Sequence, residues 1–194
     1  MRIPELTTER LVLRPLADEF TDFVFTQFSD PDVMRYLLDQ APLTERTGAE
    51  RIVAFYVDPQ QTTCCRWVLV SRITGEPVGT CGFHKWDRHH RRAEIGYDLA
   101  PSSWRQGLMS EALTAALAYG FEDMALHRVD ALVHTENTAS LGLLDRLGFE
   151  NEGLLRDYYY LNAKYHDHYI LSLLRPDWNT HGEQQLHCSL RPNR

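Results

Sequence analysis

Residues 93–113 read AEIGYDLAPSSWRQGLMSEAL, and the fold follows from how this stretch changes period. Ile95, Tyr97 and Leu99 alternate with Glu94, Gly96 and Asp98, the two-residue period of a strand. A turn over 100–105 follows, and a helix is expected from about Ser110, because Ala112, Leu113, Ala116, Leu117 and Phe121 fall on one side of a 3.6-residue period through 126. Strand, loop and helix start together aim the backbone N–H groups of 106–110 outward. The first helical N–H groups have no internal partner and carry the positive end of the helix dipole, so such an end accepts phosphate. Gly107 lets the backbone come close to a ligand. A connecting loop with a convenient glycine is the plainer alternative, and local physics leaves both open.

Upstream, residues 11–16 (LVLRPL) read as a strand that stops near Pro15, followed by a helix start at Asp18 and Glu19. Residues 20–28, 31–38 and 44–56 carry broken apolar spacing suited to short helices, with Pro31 early in one and Thr44 as a possible cap of another. Residues 66–72 and 78–83 are β-rich runs separated by Thr74-Gly75-Glu76-Pro77, which predicts an antiparallel hairpin. Downstream, Val129, Ala131 and Val133 alternate as a strand. Leu141, Leu144 and Leu147 recur at helical spacing before Gly148, and 165–175 closes as a strand. Residues 179–194 read as a polar tail after a single domain over 1–178. The whole predicts a mixed α/β (α+β) fold.

The 194 residues are 43% apolar and 24% charged, the composition of an ordinary globular chain with enough length for one good core. A net charge of −7 argues against sequence-independent binding of nucleic acid, which needs clustered Lys and Arg. Cys64, Cys65, Cys81 and Cys188 form no CxxC, so reduced thiols are expected rather than a disulfide framework or zinc site. His89-His90 and His166-x-His168 lack the companion ligands of a zinc signature, and no metal is expected. No apolar run is long enough to span a bilayer and MRIPELTTERL has no leader pattern, so a cytoplasmic protein without membrane attachment is expected. No GxxxxGK[ST] or GxGxxG follows a strand, which sets nucleotide-triphosphate and dinucleotide chemistry aside.

The stretch EIGYDLAPSSWRQGLMSEAL resembles the acyl-CoA-binding motif of the GNAT superfamily, in the branch of the ribosomal-protein-alanine N-acetyltransferases of the RimJ and RimL type. Thr7-Thr8-Glu9-Arg10-Leu11-Val12-Leu13-Arg14 resembles that branch's opening. Asn137-Thr138-Ala139-Ser140 with Leu147-Gly148-Phe149 resembles its second motif, and 167–178 its closing strand. Trp104 and Met109 depart from the usual pyrophosphate signature.

The resemblance implies a GNAT fold with a central, mostly antiparallel, splayed sheet. It also implies acetyl-CoA as cosubstrate and direct transfer to a primary amine, the favoured acceptor being a protein or peptide N-terminus. A small amine such as a polyamine, an antibiotic or a peptide-like toxin is the alternative acceptor, and monomer or homodimer are both compatible. By the same resemblance, Tyr97, Asp98 and Leu99 bind pantetheine through backbone groups. Arg105, Gln106, Gly107, Leu108, Met109 and Ser110 hold the pyrophosphate, and Asn137 and Arg146 are further CoA contacts, with a helix cap and a solvated charge as their plainer readings.

Ser140 matches a family position assigned as proton donor to the leaving thiolate; its alternative is a first-turn serine bonded to backbone. Glu94 is the candidate base, against a structural ion pair with Arg91 or Arg92. A family glutamate base falls at Tyr159 here, which keeps a non-catalytic acyl-CoA-binding module as a rival reading. His84, Trp86 and Tyr159, with its neighbours Tyr158 and Tyr160, are candidate walls of the acceptor pocket, or else core and rim aromatics.

Overall fold

The computed structural model describes residues 3–37 and 41–180; Leu38, Cys188 and the expected tail from 181 onward lie outside them. Eight strands form one sheet in the order β1-β2-β3-β4-β5-β6-β8-β7. They are β1 (Leu6–Thr7), β2 (Leu11–Pro15), β3 (Cys65–Ser71), β4 (Pro77–Asp87), β5 (Arg92–Leu99), β6 (Arg128–His134), β7 (Glu150–Leu161) and β8 (Lys164–Leu174). The helices are α1 (Thr21–Ser29), α2 (Pro31–Met34), α3 (Arg46–Val57), α4 (Leu108–Glu122) and α5 (Thr138–Arg146). No helix of the described residues is long and apolar enough to cross a membrane.

All neighbours pair antiparallel except β5 and β6, which run parallel and are paired only from Arg92–Glu94 to Arg128–Asp130. Past those three rungs β5 stays on β4 through Leu99, while β6 follows β8 as far as His134. The sheet therefore opens into a V, and alternate backbone groups of 95–99 on β5 face the gap rather than a partner strand.

Period-2 patterning sends alternate residues to two cores. One face carries Leu11, Leu13, Trp67, Leu69, Phe83, Ile95, Val129 and Leu173 against Ala112, Leu113, Leu117 and Phe121 of α4 and Leu144 of α5. Each of the larger side chains fully buried there contributes about 1.5–3 kcal/mol. The other face carries Val68 and Val70 against Phe20, Val24 and Phe28 around α1 and Ala49 and Val53 of α3.

Between the hairpin and β5 on this second face lies a buried polar network. Arg66 Nη2 donates to Asp98 Oδ2 at 2.6 Å and Arg66 Nε to Thr80 Oγ1 at 2.8 Å, while Gln27 Nε2 donates to Asp98 Oδ1 at 2.8 Å and Thr80 Oγ1 also reaches Asp98. The ion pair ties β3 to β5, and Gln27 ties α1 to both.

Several boundaries differ from expectation. The central helix begins at Leu108 rather than Ser110, with Gly107 at φ 76° before it. The segment expected over 31–38 keeps helical geometry only through Met34, capped by Asp30. Thr44 is no cap, since α3 starts after Glu45 with no side-chain cap bond. The closing strand ends at Leu174, and Trp178 stacks on Phe121 at 5.8 Å. Strand β7 was not anticipated. It is an edge strand, mostly exposed, interrupted by register shifts at Asn151/Gly153 and Leu155/Tyr159, with Asp157 at φ 53°, so no alternation survives to be read.

Replacing Asp98 with Ala leaves Arg66 charged, buried and uncompensated. The expected outcome is a loss of about 3–5 kcal/mol of unfolding free energy in urea titration.

Candidate functional site

The opening between β5 and β6 holds two clefts on either side of β5. The first, about 540 Å³, is bounded by the end of β5, the loop before α4 and the start of α5. The second, about 650 Å³, lies on the opposite face of the sheet beneath α3 and against β8. Both are lined by Tyr36, Leu37 and Tyr97.

In the first cleft, Gly107 at φ 76° and Arg105 at φ 59° turn the chain into α4, a conformation that is free for glycine and costly for Arg105. The first helical bond runs from Glu111 N to Gly107 O at 3.1 Å. The N–H groups of Leu108, Met109 and Ser110 precede it and have no intrahelical partner, and all three residues line the cleft. Arg105 and Arg146 line it too and make no ion pair among the described residues. A helix N-terminus flanked by two uncommitted guanidinium groups is a cradle for an anion such as a pyrophosphate.

The loop is braced from outside. Glu111, in the first turn of α4, accepts from Thr8 Oγ1 at 2.5 Å and from Arg10 N and Nε at 2.7 Å, and Arg10 Nη1 donates to Gln106 O at 2.7 Å. Burial opposes the charge on Glu111, yet these bonds hold its carboxyl below the ordinary range.

Of the residues expected on this cleft, Tyr97, Leu99, Arg105, Gly107, Leu108, Met109, Ser110, Asn137, Ser140 and Arg146 line it. Gln106 does not; its side chain turns back to donate to Ser102 O at 3.0 Å. Asp98 reaches the cleft only from the backbone side, because its carboxylate is consumed by Arg66, Thr80 and Gln27. Asn137 caps α5, its Oδ1 accepting from Ser140 N at 3.1 Å. Trp104 donates Nε1 to Leu99 O at 2.7 Å and stays largely exposed.

Ser140 is not bonded to backbone through its hydroxyl. Oγ lies 2.6 Å from the hydroxyl of Tyr97, a residue that lines both clefts. Burial raises the Tyr97 phenol to about 12, only partly offset by Ser140, so the pair is fully protonated near neutrality. The Tyr97 hydroxyl was missed in the sequence, although its alternation with Ile95 already put it on the α5 face.

In the second cleft, Glu94 pairs with Lys85 at 2.8 Å, not with Arg91 or Arg92. The register shift after His84, with Lys85 at φ 51°, swings that lysine beside Glu94. His84 lies over Gly96, where an added Cβ would meet Nε2 at 3.1 Å. Arg66 Nη1 can only donate, so His84 Nε2 accepts from it at 3.3 Å and Nδ1–H donates to Tyr56 Oη at 3.2 Å. Burial, with Arg66 adding to it, lowers His84 to about 3, and it is neutral with both nitrogens engaged.

Tyr159 lines this cleft with its ring edge-on to His168 at 4.9 Å. Trp86 does not line it; it packs on the core with Arg88 over its ring at 4.3 Å. His134, His166 and His168 gather nearby, and no group of three metal-ligating side chains forms among the described residues.

Comparison with known proteins agrees with this arrangement. Residues 10–150 match the model of the acetyltransferase (GNAT) domain. The N-acetyltransferase YoaA of Bacillus subtilis, described as uncharacterized, is 38% identical over 173 residues, covering 89% of this chain and 98% of that protein. The ribosomal protein uS5-alanine N-acetyltransferase of Escherichia coli is 40% identical over 84 residues, 43% of each chain. In three dimensions, a spermidine N-acetyltransferase from Vibrio cholerae, solved with CoA and spermine, superposes with a TM-score of 0.80 at 22% identity over 89% of this chain and 99% of that one. The chain belongs to the GNAT family and is an acetyl-CoA-dependent N-acetyltransferase.

Proposed function

We propose that this enzyme acetylates the terminal amine of a peptide or protein, by direct attack on acetyl-CoA bound in the first cleft. The observation that carries this reading is that Tyr97 lines both clefts while its hydroxyl meets Ser140 of the first. A thioester whose diphosphate sits at the start of α4 and whose pantetheine follows β5 presents its acetyl group there. An amine entering from the second cleft meets it without a covalent enzyme intermediate.

The second cleft suits a peptide better than a polyamine. Its walls include Phe28, Tyr36, Phe55, Tyr56 and Tyr159, flat surfaces for a peptide backbone and side chain. Its one carboxylate among the described lining residues, Glu94, is already paired with Lys85, Arg66 is paired with Asp98, and Arg51 adds positive charge. A polyamine has a second and third ammonium to place and finds no free carboxylate there. The partial match to a ribosomal-protein-alanine N-acetyltransferase points the same way.

Ser140 is the proton donor to the departing thiolate in this reading: the amine nitrogen bonds to the carbonyl carbon, the C–S bond breaks, Ser140 Oγ–H protonates sulfur, Tyr97 Oη–H reprotonates Ser140, and the proton given up by the nitrogen, passed through solvent, restores the Tyr97 hydroxyl. Glu94 we assign to its ion pair, as part of the cleft wall, rather than to proton abstraction.

Release of free CoA, followed across a panel of peptides, polyamines and aminoglycosides, is expected to show turnover with peptides and little with spermidine. Binding of CoA with no turnover of any acceptor would instead establish a non-catalytic acyl-CoA-binding module. Ser140→Ala is expected to lower kcat about 100-fold while CoA affinity stays unchanged in calorimetry. Gly107→Trp forces a bulky side chain into the left-handed region beside the anion cradle, at a cost of about 1–2 kcal/mol. The fold should persist by circular dichroism while calorimetric CoA binding is lost; unchanged affinity would move the pyrophosphate elsewhere.

A further inference from the structure

An amine that attacks a thioester must give up a proton, and on the acetyl-transfer reading above something in the second cleft has to receive it. Glu94 is held by Lys85, and both nitrogens of His84 are engaged. We propose that His168 is the general base, its Nε2 taking the proton released as the amine nitrogen bonds to the acetyl carbon.

Two observations place it. His168 lies on β8 opposite His134 of β6 and Leu155 of β7, so it stands on the far wall of the V, facing the Ile95–Tyr97 stretch of β5 that β6 leaves unpaired. The second cleft is lined on one side by Glu94, Ile95, Gly96 and Tyr97 and on the other by Leu132, Tyr159 and His168. An amine attacking at Tyr97 therefore has His168 across from it.

The tautomer is set by a backbone bond. Nδ1 lies 3.3 Å from the His166 carbonyl oxygen, which can only accept, so Nδ1 carries the hydrogen and Nε2 is a lone pair. Nε2 has no hydrogen-bond partner among the described residues, and although the residue is only 3% exposed this nitrogen is not sealed from solvent. The ring is packed by Tyr159 edge-on at 4.9 Å, Tyr158 at 6.0 Å and His134 edge-on at 5.4 Å.

The surroundings keep the imidazole neutral at neutral pH. Burial lowers its pKa below the ordinary histidine value, the His166 carbonyl works the other way, and the nearby His134 and His166 rings lower it while Asp167 raises it. Tyr158 and Tyr159 face it from β7; across the cleft, Glu94 is tied to Lys85 and His84 to Arg66. A base with a lowered pKa is ready at neutral pH and is lost as the pH falls through that value. In this account the amine proton goes to Nε2 and the thiolate proton comes from Ser140, so one proton enters the sulfur as one leaves the nitrogen.

The test is the pH dependence of kcat at saturating acetyl-CoA and peptide, which removes the ionisation of the free acceptor. The unaltered enzyme should lose kcat on the acid side with a midpoint below that of an ordinary histidine. His168→Gln should lower kcat about 100-fold and abolish that acid limb, with calorimetric CoA affinity and the melting temperature little changed. His168→Phe, which keeps the ring packing against Tyr159, should be equally slow, and added imidazole should restore activity to His168→Gln more than to the unaltered enzyme.

A His168→Gln enzyme that binds CoA and keeps kcat within about threefold, or one that keeps the acid limb, overturns the proposal. So does loss of the limb in Glu94→Gln but not in His168→Gln. Failure of the acetyl-transfer reading itself would appear differently, as no turnover of any amine by the unaltered protein.

Discussion

The site depends on one interruption in the sheet. Strands β5 and β6 share only three rungs, Arg92–Glu94 with Arg128–Asp130, before each commits to a different neighbour. Further pairing would have satisfied more backbone groups and closed the gap. Instead β5 is held to β4 by its full register from Gly79–Leu99 to His84–Glu94, and β6 to β8 over seven residues, so the two halves of the sheet diverge without either losing its own ladder. The unsatisfied backbone edge this leaves is tolerable because it faces a cleft rather than the core.

Two polar clamps hold the parts that surround the gap. Asp98 at the end of β5 is fixed by Arg66 and Gln27, which brings β3 and α1 to the same point, and Arg66 lines the second cleft. Glu111 does the equivalent for the anion cradle, since Thr8 and Arg10, more than a hundred residues earlier, both bond to its carboxylate while Arg10 also holds the carbonyl of Gln106. The TTERLVLR opening and the SEAL segment of the loop motif, separate features in the sequence, are therefore partners in one structural unit.

Strand and helix order was legible wherever a period survived. The alternation of Ile95, Tyr97 and Leu99 and the apolar stripe of α4 both come from elements buried along one whole face, and there burial and sequence pattern are the same fact. Strand β7 was opaque because it is an exposed, twice-bulged edge whose pairing rests on backbone and on the Arg128–Glu152 pair across the sheet. Among site residues, the loop from Arg105 to Ser110 was visible as chemistry, since its glycine and helix start are local. The Tyr97–Ser140 contact, the Lys85–Glu94 pair and the lone pair on His168 were not, because each depends on which strands lie side by side or on a single bulge. Trp86 failed as a pocket residue for the same reason: the chain twists after His84, and what lies two residues beyond a cleft residue in sequence packs on the core.

The two clefts also differ in electrostatic character in a way that separates their tasks. The first is positive where it is open, through Arg105, Arg146 and the start of α4, and ends in a neutral hydroxyl pair at Tyr97 and Ser140. The second carries charge that is mostly cancelled: Lys85 by Glu94 and Arg66 by Asp98, with neutral imidazoles at His84 and His168. A polyanionic cosubstrate is thus drawn to the first, while an amine in the second meets surroundings that do not stabilise its ammonium form. Loss of that proton is favoured where the nucleophile must be neutral, and the group that would protonate the thiolate stands on the other side of β5. With the roles proposed for Ser140 and His168, acid and base are kept apart by the same divergence of strands that opens the two clefts.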